Sequence, residues 1–469
     1  MAVTTPVAPP TAPPRHDAAT AAAGGWARRL AAPADLASIA VFRMMFGLLL
    51  LWEVWRYVSA GWVNGYYVDP AFNFTYAGFS WVRPLPAAGM MAVFAVLGVA
   101  ALMFALGAWY RSSAIVLAVG YTYVFLLEQA RYLNHFYLIC LFAAMMVLVP
   151  AGRVWSVDAL VRPDRRADVA PRWWLALLQT QLAVVYAYAG LAKLNEDWLA
   201  GEPMRAWLAD RTDVALIGRW FTEEWMVLGM SWGGLLFDLL IIPALLWRRT
   251  RVVAVLAAIS FHLLNEELFQ IGIFPWFAMA ATTLFFRPDW PRRILRLAPA
   301  TGAVATSGAG PRLRRTAGVL LVVFVAAQVL VPLRHLAIPG DVAWTEEGHR
   351  FAWRMKLRTK SADTAFRVTD PATGATRTLD PRDELESWQA TSMQARPDMI
   401  AQFARHLADR AEADGFARPE VRVDATASLN GRPTAVLVDP DVDLAAQPAW
   451  DVHRDWIPLA EAPRRPNSR

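Results

Sequence analysis

Five polar side chains that could transfer protons or form hydrogen bonds stand inside, or at the ends of, strongly apolar stretches of the chain. They are Lys193, His135, His262, Asn134 and Asn265. Ionisable groups are costly in a bilayer and usually functional there. A desolvated lysine can become neutral and act as a base, and an imidazole can donate or accept a proton. These residue types therefore indicate proton-transfer chemistry in an apolar setting.

Each of these residues also has a structural interpretation. Lys193 stands near the end of an apolar run, and its long side chain could reach the membrane interface. His135 and His262 could each pack between helices with a single hydrogen bond. The paired acids Glu223-Glu224 and Glu266-Glu267 are more typical of solvated loops. Taken one at a time, the residues leave both interpretations open.

The elements that must position these residues are membrane helices. The chain is 56% hydrophobic and 18% charged, against about 25% charged in soluble domains, and the apolar runs extend from Leu36 to Leu333. A run of about 20 apolar residues can cross a bilayer. We predict a multi-span α-helical bundle within residues 26–336, after a disordered tail at 1–25. Its spans lie at about 36–57, 86–108, 113–127, 133–150, 173–194, 230–247, 252–265, 269–286 and 316–333.

The loop charges give these nine spans a direction. The tail and alternate loops carry 19 arginines, and the loops on the other side carry 5. The arginine-rich side should be cytoplasmic, which places residues 337–469 outside the cytoplasm. The five polar residues then fall at one depth, on the outer side. They predict a shared cavity that the C-terminal domain covers.

The C-terminal domain reads as mixed and mostly β. Alternation of apolar and polar residues predicts strands at 351–358 and 365–369. A helix is expected over 398–413, and two further strands at 421–426 and 434–438. Asn430-Gly431 between those strands is a strong hairpin signal.

Several function classes are not indicated. The single cysteine, Cys140, cannot form an intrachain disulfide, and we find no metal-binding motif, phosphate loop or Ser-His-Asp arrangement. The net charge of +6 follows from membrane topology and does not indicate nucleic-acid binding. A lipophilic cofactor arriving from the bilayer suits this architecture better than a soluble one.

Several motifs resemble one family. They are Leu133-Asn-His-Phe-Tyr-Leu, Trp155-Ser-Val-Asp, Ala189-Gly-Leu-Ala-Lys-Leu-Asn-Glu-Asp-Trp-Leu-Ala-Gly, Ser231-Trp-Gly-Gly-Leu-Leu-Phe-Asp, Phe261-His-Leu-Leu-Asn-Glu-Glu and Pro339-Gly-Asp-Val-Ala-Trp-Thr. In this order they resemble the vitamin K-dependent gamma-carboxylases, whose membrane part is the HTTM domain. The wider HTTM group shares only the membrane portion, so matching both parts favours the carboxylase branch.

The resemblance implies a lyase that converts protein glutamate to γ-carboxyglutamate. The required co-substrates would be reduced vitamin K (phylloquinol or menaquinol), oxygen and carbon dioxide, with epoxidation of the quinone and no metal. Its partners would be the lipid bilayer, a glutamate-containing polypeptide and an upstream quinone reductase. Richness in Ala and Arg suggests a bacterial cell membrane as its location.

The resemblance also implies residue roles. Lys193 would be the initiating base, and His135 and Asn134 would position the quinone oxygens. Tyr186 lies two helical turns before Lys193 and could face the same pocket. The remaining expected residues are His262 and Asn265 at the cofactor, Phe274 and Met355 as walls for its ring, and Trp344 and His349 on the substrate side.

One departure from the animal enzymes is Ala192, which stands where they have a second lysine. Two alternative functions stay open at this point. The first is a related enzyme that oxygenates a quinol without carboxylating protein. The second is a non-catalytic membrane protein that binds a lipid or another protein.

Overall fold

The structure is a computed structural model that describes residues 25, 27–301, 311–448 and 453–458, without the side chains of 311–315 and 317. The predicted disordered tail lies outside these residues except for Gly25. One helix coincides with each of the nine predicted spans. In chain order they are α1 (Ala37–Ser59), α2 (Ala87–Leu106), α3 (Tyr110–Leu126), α4 (Asn134–Leu148), α5 (Trp173–Ala192), α6 (Glu224–Leu246), α7 (Arg251–Phe269), α8 (Phe274–Thr282) and α9 (Pro311–Leu330).

Six of these segments are long and apolar enough to cross a membrane. They are α1, α2, α5, α6, α7 and Gly318–Ala337, which contains most of α9 and the 3-10 turn after it. Helices α3, α4 and α8 have 17, 15 and 9 residues, so the count of nine spans stays a prediction. The helical membrane part itself is as predicted.

The predicted outer loop at 266–268 is wrong, because these residues belong to α7. The two glutamates in this stretch are good helix formers. The helix instead ends at Phe269, where Gln270 adopts a left-handed conformation with φ 48°. Helix α7 is therefore four residues longer at its outer end than the sequence pattern indicated.

Short elements connect the long helices. The helical ones are Trp62–Tyr67, Val157–Val161, Glu196–Leu199, Met204–Ala209, Trp290–Ile294 and Val342–Thr345. Two short strands, β1 (Pro33–Asp35) and β2 (Val169–Pro171), pair antiparallel just before α1 and α5. They lie at the end of the bundle to which the arginine-rich loops belong.

The C-terminal domain is mixed, as predicted. Strands β3 (Lys360–Thr369), β4 (Thr376–Leu379), β5 (Glu420–Leu429) and β6 (Ala435–Val438) form one antiparallel sheet in the order β4-β3-β5-β6. Helices α10 (Ser387–Gln394) and α11 (Pro397–Ala413) cover it. The apolar face of α11 is buried, and Phe403 packs edge-on against Phe366 of β3. Both Asn430 and Gly431 have positive φ at the predicted β5–β6 hairpin.

The predicted strand at 351–358 is also wrong. Phe351, Trp353 and Lys356 all have positive φ, which breaks the extended conformation. The segment is irregular because its partners are in the membrane domain. The Phe351 amide donates to the Tyr132 hydroxyl at 2.6 Å, and Trp353 is buried in a stack on Tyr137. Tertiary contacts here override the alternating pattern.

The outer domain contacts the loops that the arginine count placed on the outer side. Glu128 accepts a hydrogen bond from Gln389 of α10 at 2.9 Å. Asp197, four residues after Lys193, pairs with Arg432 at 2.7 Å. These contacts hold the soluble domain directly over the outer ends of the helices.

A buried ion-pair cluster joins three elements at the opposite end of the bundle. Arg292 pairs with Asp35 at 2.8 Å and lies 3.3 Å from Asp168, and all three side chains are at most 8% exposed. Replacing Arg292 with alanine leaves the buried Asp35 carboxylate without an ion-pair partner, and leaves Asp168 with only the more distant Arg166 at 3.4 Å. We expect the R292A free energy of unfolding to fall by about 3 kcal/mol or more, measured by unfolding in mixed micelles.

The matched control is its neighbour Arg293, whose pair with Asp289 is 60% and 32% exposed. Arg293→Ala should lower the unfolding free energy by less than about 1 kcal/mol, because exposed ion pairs contribute little. Equal effects of the two substitutions would contradict the structural role of the buried cluster.

Candidate active site

A cavity of about 440 Å³ lies where the outer ends of α4 to α8 meet the outer domain. Its membrane side is formed by apolar and aromatic groups of α6, α7 and α8. Its other side, which we call the roof, is formed by residues of the segment 349–358 and by Arg396. The cavity is therefore shared by the two domains, at the depth where the sequence predicted one.

Lys193 and Asp238 form the central polar contact of this cavity. The Lys193 Nζ donates to Asp238 Oδ2 at 2.6 Å, and the two side chains are 8% and 6% exposed. The Lys193 Nζ also lies 5.1 Å from the centre of the Trp198 ring. Lys193 does not reach out to the interface, so the snorkelling interpretation does not describe this conformation.

Local sequence explains why these two side chains meet. Lys193 is the first residue beyond α5, and Asp238 stands in the middle of α6. The two helices approach closely at Gly190, where an added Cβ would come within 2.6 Å of the Leu239 side chain. After α5, the Asn195 side chain accepts from the Trp198 amide at 3.0 Å and so begins a short helix.

The turn after Lys193 is fixed to α6 by reciprocal hydrogen bonds. The Trp198 indole donates to the Ser231 carbonyl at 2.8 Å, and the Ser231 hydroxyl donates to the Trp198 carbonyl at 2.5 Å. Both side chains are buried. The position of Lys193 is thus set from both sides by contacts between α5, its following turn and α6.

A second polar group is the pair Tyr186 and His262. The Tyr186 hydroxyl lies 2.8 Å from His262 Nε2. His262 is 1% exposed, and its Nδ1 has no hydrogen-bond partner in the part of the chain that the structure describes. The ring centre of Phe274 lies 5.7 Å from the ring centres of both His262 and His135. The two imidazoles thus flank one aromatic wall of the cavity.

Asn134 is engaged in positioning the roof. Its Oδ1 accepts from the Tyr132 hydroxyl at 2.9 Å, and its Nδ2 donates to the Arg354 carbonyl at 3.2 Å. Asn265 instead bonds to the Phe261 carbonyl, one turn back on α7, at 2.8 Å. Of the two predicted asparagines, Asn134 therefore links the domains and Asn265 bonds within its own helix.

The roof of the cavity is strongly cationic. Arg350 pairs with Asp398 at 2.5 Å, and Arg358 pairs with Glu346. Burial alone would raise the pKa of Glu346, but Arg358 and the other basic side chains around it together outweigh that effect and hold this pKa at about 2.

The other three cations of the roof are Arg354, Lys356 and Arg396. Within the described ranges none of them has a carboxylate at ion-pair distance. Burial lowers the pKa of Arg396 to about 10 and also lowers the pKa of Lys356. Arg354 and Arg396 are partly buried, whereas Lys356 is exposed, so the two arginines are the better shielded partners for a bound anion.

Nine of the ten predicted site residues line the cavity. These are Asn134, His135, Tyr186, Lys193, His262, Asn265, Phe274, His349 and Met355. Trp344 does not line it as expected. It is buried with the sheet and helices of the outer domain, and its carbonyl accepts from Lys360 Nζ at 2.5 Å.

Two features of the site were not predicted from the sequence. Asp238 is an ionisable residue within a predicted span, and that criterion should have identified it. The roof cations were missed for a different reason. The segment that carries most of them was interpreted as an ordinary strand, whose polar residues would face water.

Comparison with protein families covers most of the chain. A family model described as the HTTM domain matches residues 31–290. A second, described as the vitamin K-dependent gamma-carboxylase lumenal domain, matches residues 313–462. No solved structure matches the chain. The apolar helices and the lumenal-domain match make this an integral membrane protein whose C-terminal domain is extracytoplasmic.

The charged network behind the roof predicts a pH dependence of stability. Burial lowers the pKa of Lys360 to about 7, partly offset by Glu346, and its side chain is 0% exposed. Between pH 7 and 10.5 the unfolded chain then binds more protons than the folded chain, so stability rises with pH. We expect a rising apparent melting temperature from pH 7.5 to 9.5, and a smaller rise in Lys360→Met.

Because only Lys360 is considered, the unfolding free energy can rise by no more than one proton's worth, about 1.4 kcal/mol per pH unit. Arg367→Met is the control, since Arg367 is on the same strand but 42% exposed. It should keep the wild-type pH dependence. Parallel melting profiles of wild type and K360M would contradict the prediction.

Proposed function

The chain belongs to the vitamin K-dependent gamma-carboxylase family, and from that premise we propose that it carboxylates protein-bound glutamate. The reaction would use a reduced naphthoquinone, oxygen and carbon dioxide. The observation that carries this proposal is the buried Lys193–Asp238 pair. It stands in a cavity with one apolar side in the membrane and one cationic side under the outer domain.

The cavity residues fit a reduced naphthoquinone. Phe274 and Met355 offer apolar surface to a flat ring. The unpartnered Nδ1 of His262 can form a hydrogen bond with a ring oxygen, and a buried nitrogen of this kind is costly to leave unpaired. When bound, the reduced quinone supplies, through its oxygenation, a base strong enough to take the γ-proton of glutamate.

Lys193 and Asp238 would handle the first proton together. As an ammonium beside a carboxylate, the pair is one proton short of full protonation. Lys193 can give a proton to Asp238 along their 2.6 Å hydrogen bond, and the resulting amine can accept a proton from a phenolic hydroxyl. The pair then ends as an ammonium and a carboxylic acid, and its proton count has risen by one.

The other polar groups would orient and stabilise the reacting groups. Tyr186 fixes the ring plane of His262 through their 2.8 Å contact. His135, 9% exposed, faces the same space across Phe274. Because these groups are preorganised and shielded from water, they can stabilise developing negative charge without reorganisation.

The roof would receive the polypeptide. Arg354, Lys356 and Arg396 line the cavity without a carboxylate partner in the described part of the chain. A glutamate side chain, or the more acidic product, would supply the missing anion. Arg354 is the clearest candidate, since its Nε is buried and unpartnered among the described residues.

Two partners complete the proposal. Reduced vitamin K, as phylloquinol or menaquinol, must be regenerated by a separate quinone reductase. The substrate must be a polypeptide on the extracytoplasmic side, because the roof faces that side. A bacterial cell membrane, where menaquinol is the resident naphthoquinol, is the location that we propose.

The first test measures two products separately. Purified protein receives reduced vitamin K, bicarbonate and a glutamate-containing peptide, and both epoxide and fixed carbon dioxide are quantified. We expect Lys193→Ala to lose both products. In Asp238→Asn both rates should fall about 10²-fold or more, because the amide cannot accept the relayed proton.

Glu53→Gln is the matched control. Glu53 is also a buried acid in a membrane helix, but it pairs with Arg56 and does not line this cavity. It should keep near-wild-type rates. Full activity of D238N would refute the proton relay, and epoxide without fixed carbon dioxide in the wild type would favour the related quinol-oxygenating function.

The second test concerns the roof. Arg354→Gln should raise the peptide KM about tenfold or more, since a hydrogen bond between charged groups is lost. The KM for the quinol should change little. Arg377→Gln is the control, because Arg377 is an exposed arginine of the same domain paired with Asp414. Equal peptide KM values for R354Q and wild type would contradict the assignment.

A further inference from the structure

Part of the cavity wall on α6 carries no side chains. Gly229 and Gly233 of α6 both line the cavity and are both exposed. A Cβ added at either position would meet no atom within 4 Å. The two residues are one turn apart, so they lie on one face of the helix. Together they leave a gap in the wall.

An aromatic contact between α6 and α7 bounds the gap on the side away from the outer domain. Phe237, one further turn along α6, stacks on Phe261 of α7 with ring centres 3.8 Å apart. Helices α6 and α7 are antiparallel. Gly233 and Asn265 are each four residues from the stacked pair, and Gly229 and Phe269 are each eight residues from it, so each of these pairs lies at about the same height. The helices are therefore in contact at the stack and open above it.

The gap faces the membrane. Helix α6 is one of the segments able to cross a bilayer, and its neighbours Trp232, Leu236 and Leu240 are 45%, 48% and 55% exposed. Apolar residues this exposed on such a helix are suited to contact lipid. The opening thus connects the cavity with the hydrocarbon region.

Close helix packing does not explain these two glycines. Small residues in membrane helices usually allow neighbouring backbones to approach. Gly190 does this, since a Cβ there would come within 2.6 Å of Leu239. At Gly229 and Gly233 no atom lies within 4 Å of an added Cβ, although glycine makes a helix less stable than alanine would. The absence of a side chain leaves space for something else.

We infer that the polyisoprenoid tail of the quinol leaves the cavity over Gly229 and Gly233 into the bilayer. The inference rests on the proposed function for the identity of the ring. His262, which is 1% exposed and has an unpartnered Nδ1, would hold the ring inside the same cavity. The ring then remains beside Lys193 and Asp238, while the apolar tail occupies the gap and continues among the lipids.

The test compares a quinone with and without a tail. Binding of menaquinone-4 and of menadione to the full-length protein is followed by quenching of tryptophan fluorescence, since Trp198 and Trp207 line the cavity. Gly233→Leu should raise the Kd of menaquinone-4 on the order of tenfold. It should change the Kd of menadione less than about twofold. Gly229→Leu should behave in the same way.

Gly318→Leu is the matched control. Gly318 is an exposed glycine in another apolar helix, does not line the cavity, and has no atom within 4 Å of an added Cβ. It should leave both Kd values unchanged. Leucine is a better helix former than glycine, so none of the three variants should lose its fold.

The outcomes separate the two proposals. Unchanged menaquinone-4 binding in Gly233→Leu, or equal weakening of both quinones, overturns the tail exit and leaves carboxylation untouched. Tail-selective weakening in Gly233→Leu, together with a wild-type protein that makes no γ-carboxyglutamate, supports the exit and refutes the carboxylase function. A wild-type protein that binds neither quinone overturns both.

Discussion

The structure depends most on one buried ion pair, Lys193 with Asp238. Removing two charges from water costs several kcal/mol per ion, and mutual attraction compensates only when the geometry is good. The 2.6 Å contact is produced by three local features, namely the close approach of α5 and α6 at Gly190, the turn begun by Asn195, and the reciprocal hydrogen bonds of Trp198 and Ser231. In the proposed reaction, a pair held this firmly in an apolar wall would store a proton at a fixed place, which a solvated lysine could not do.

The same constraint explains why the outer domain is part of the site. Its segment at 350–355 gives up regular strand geometry and instead bonds to Tyr132 and Asn134 at the outer end of the bundle. This arrangement brings arginines to the same cavity that the ion pair lines. The two sides of the cavity therefore provide different electrostatic environments. The helices provide a low-polarity environment, and the roof provides positive charge.

Much of this was predictable from the sequence, and the failures have physical causes. Hydropathy predicted the helices, and the loop arginines predicted which side is extracytoplasmic. The shared depth of His135, Lys193 and His262 predicted the cavity. Asp238 was not identified because one carboxylate barely changes the hydropathy of a 23-residue helix. Its pairing with Lys193 also depends on how α5 and α6 pack, which the sequence does not show. The strand-like pattern of 351–358 misled because those residues alternate between partners in two domains. Trp344 was placed near the cavity from its sequence position, yet its side chain turns into the domain core.

Glycine shows most clearly what sequence alone does not contain. Gly190 and Gly233 are the same residue type in similar apolar helices, but the first allows α5 and α6 to pack closely and the second leaves a gap toward lipid. The first helps to bring Lys193 and Asp238 together, and the second lies on the route that we propose for the quinol tail. Under the proposed function, a lipophilic reductant would approach through the membrane wall, and a polypeptide would approach under the cationic roof. Because these two proposed routes enter the cavity from different sides, neither reactant would have to leave before the other arrives.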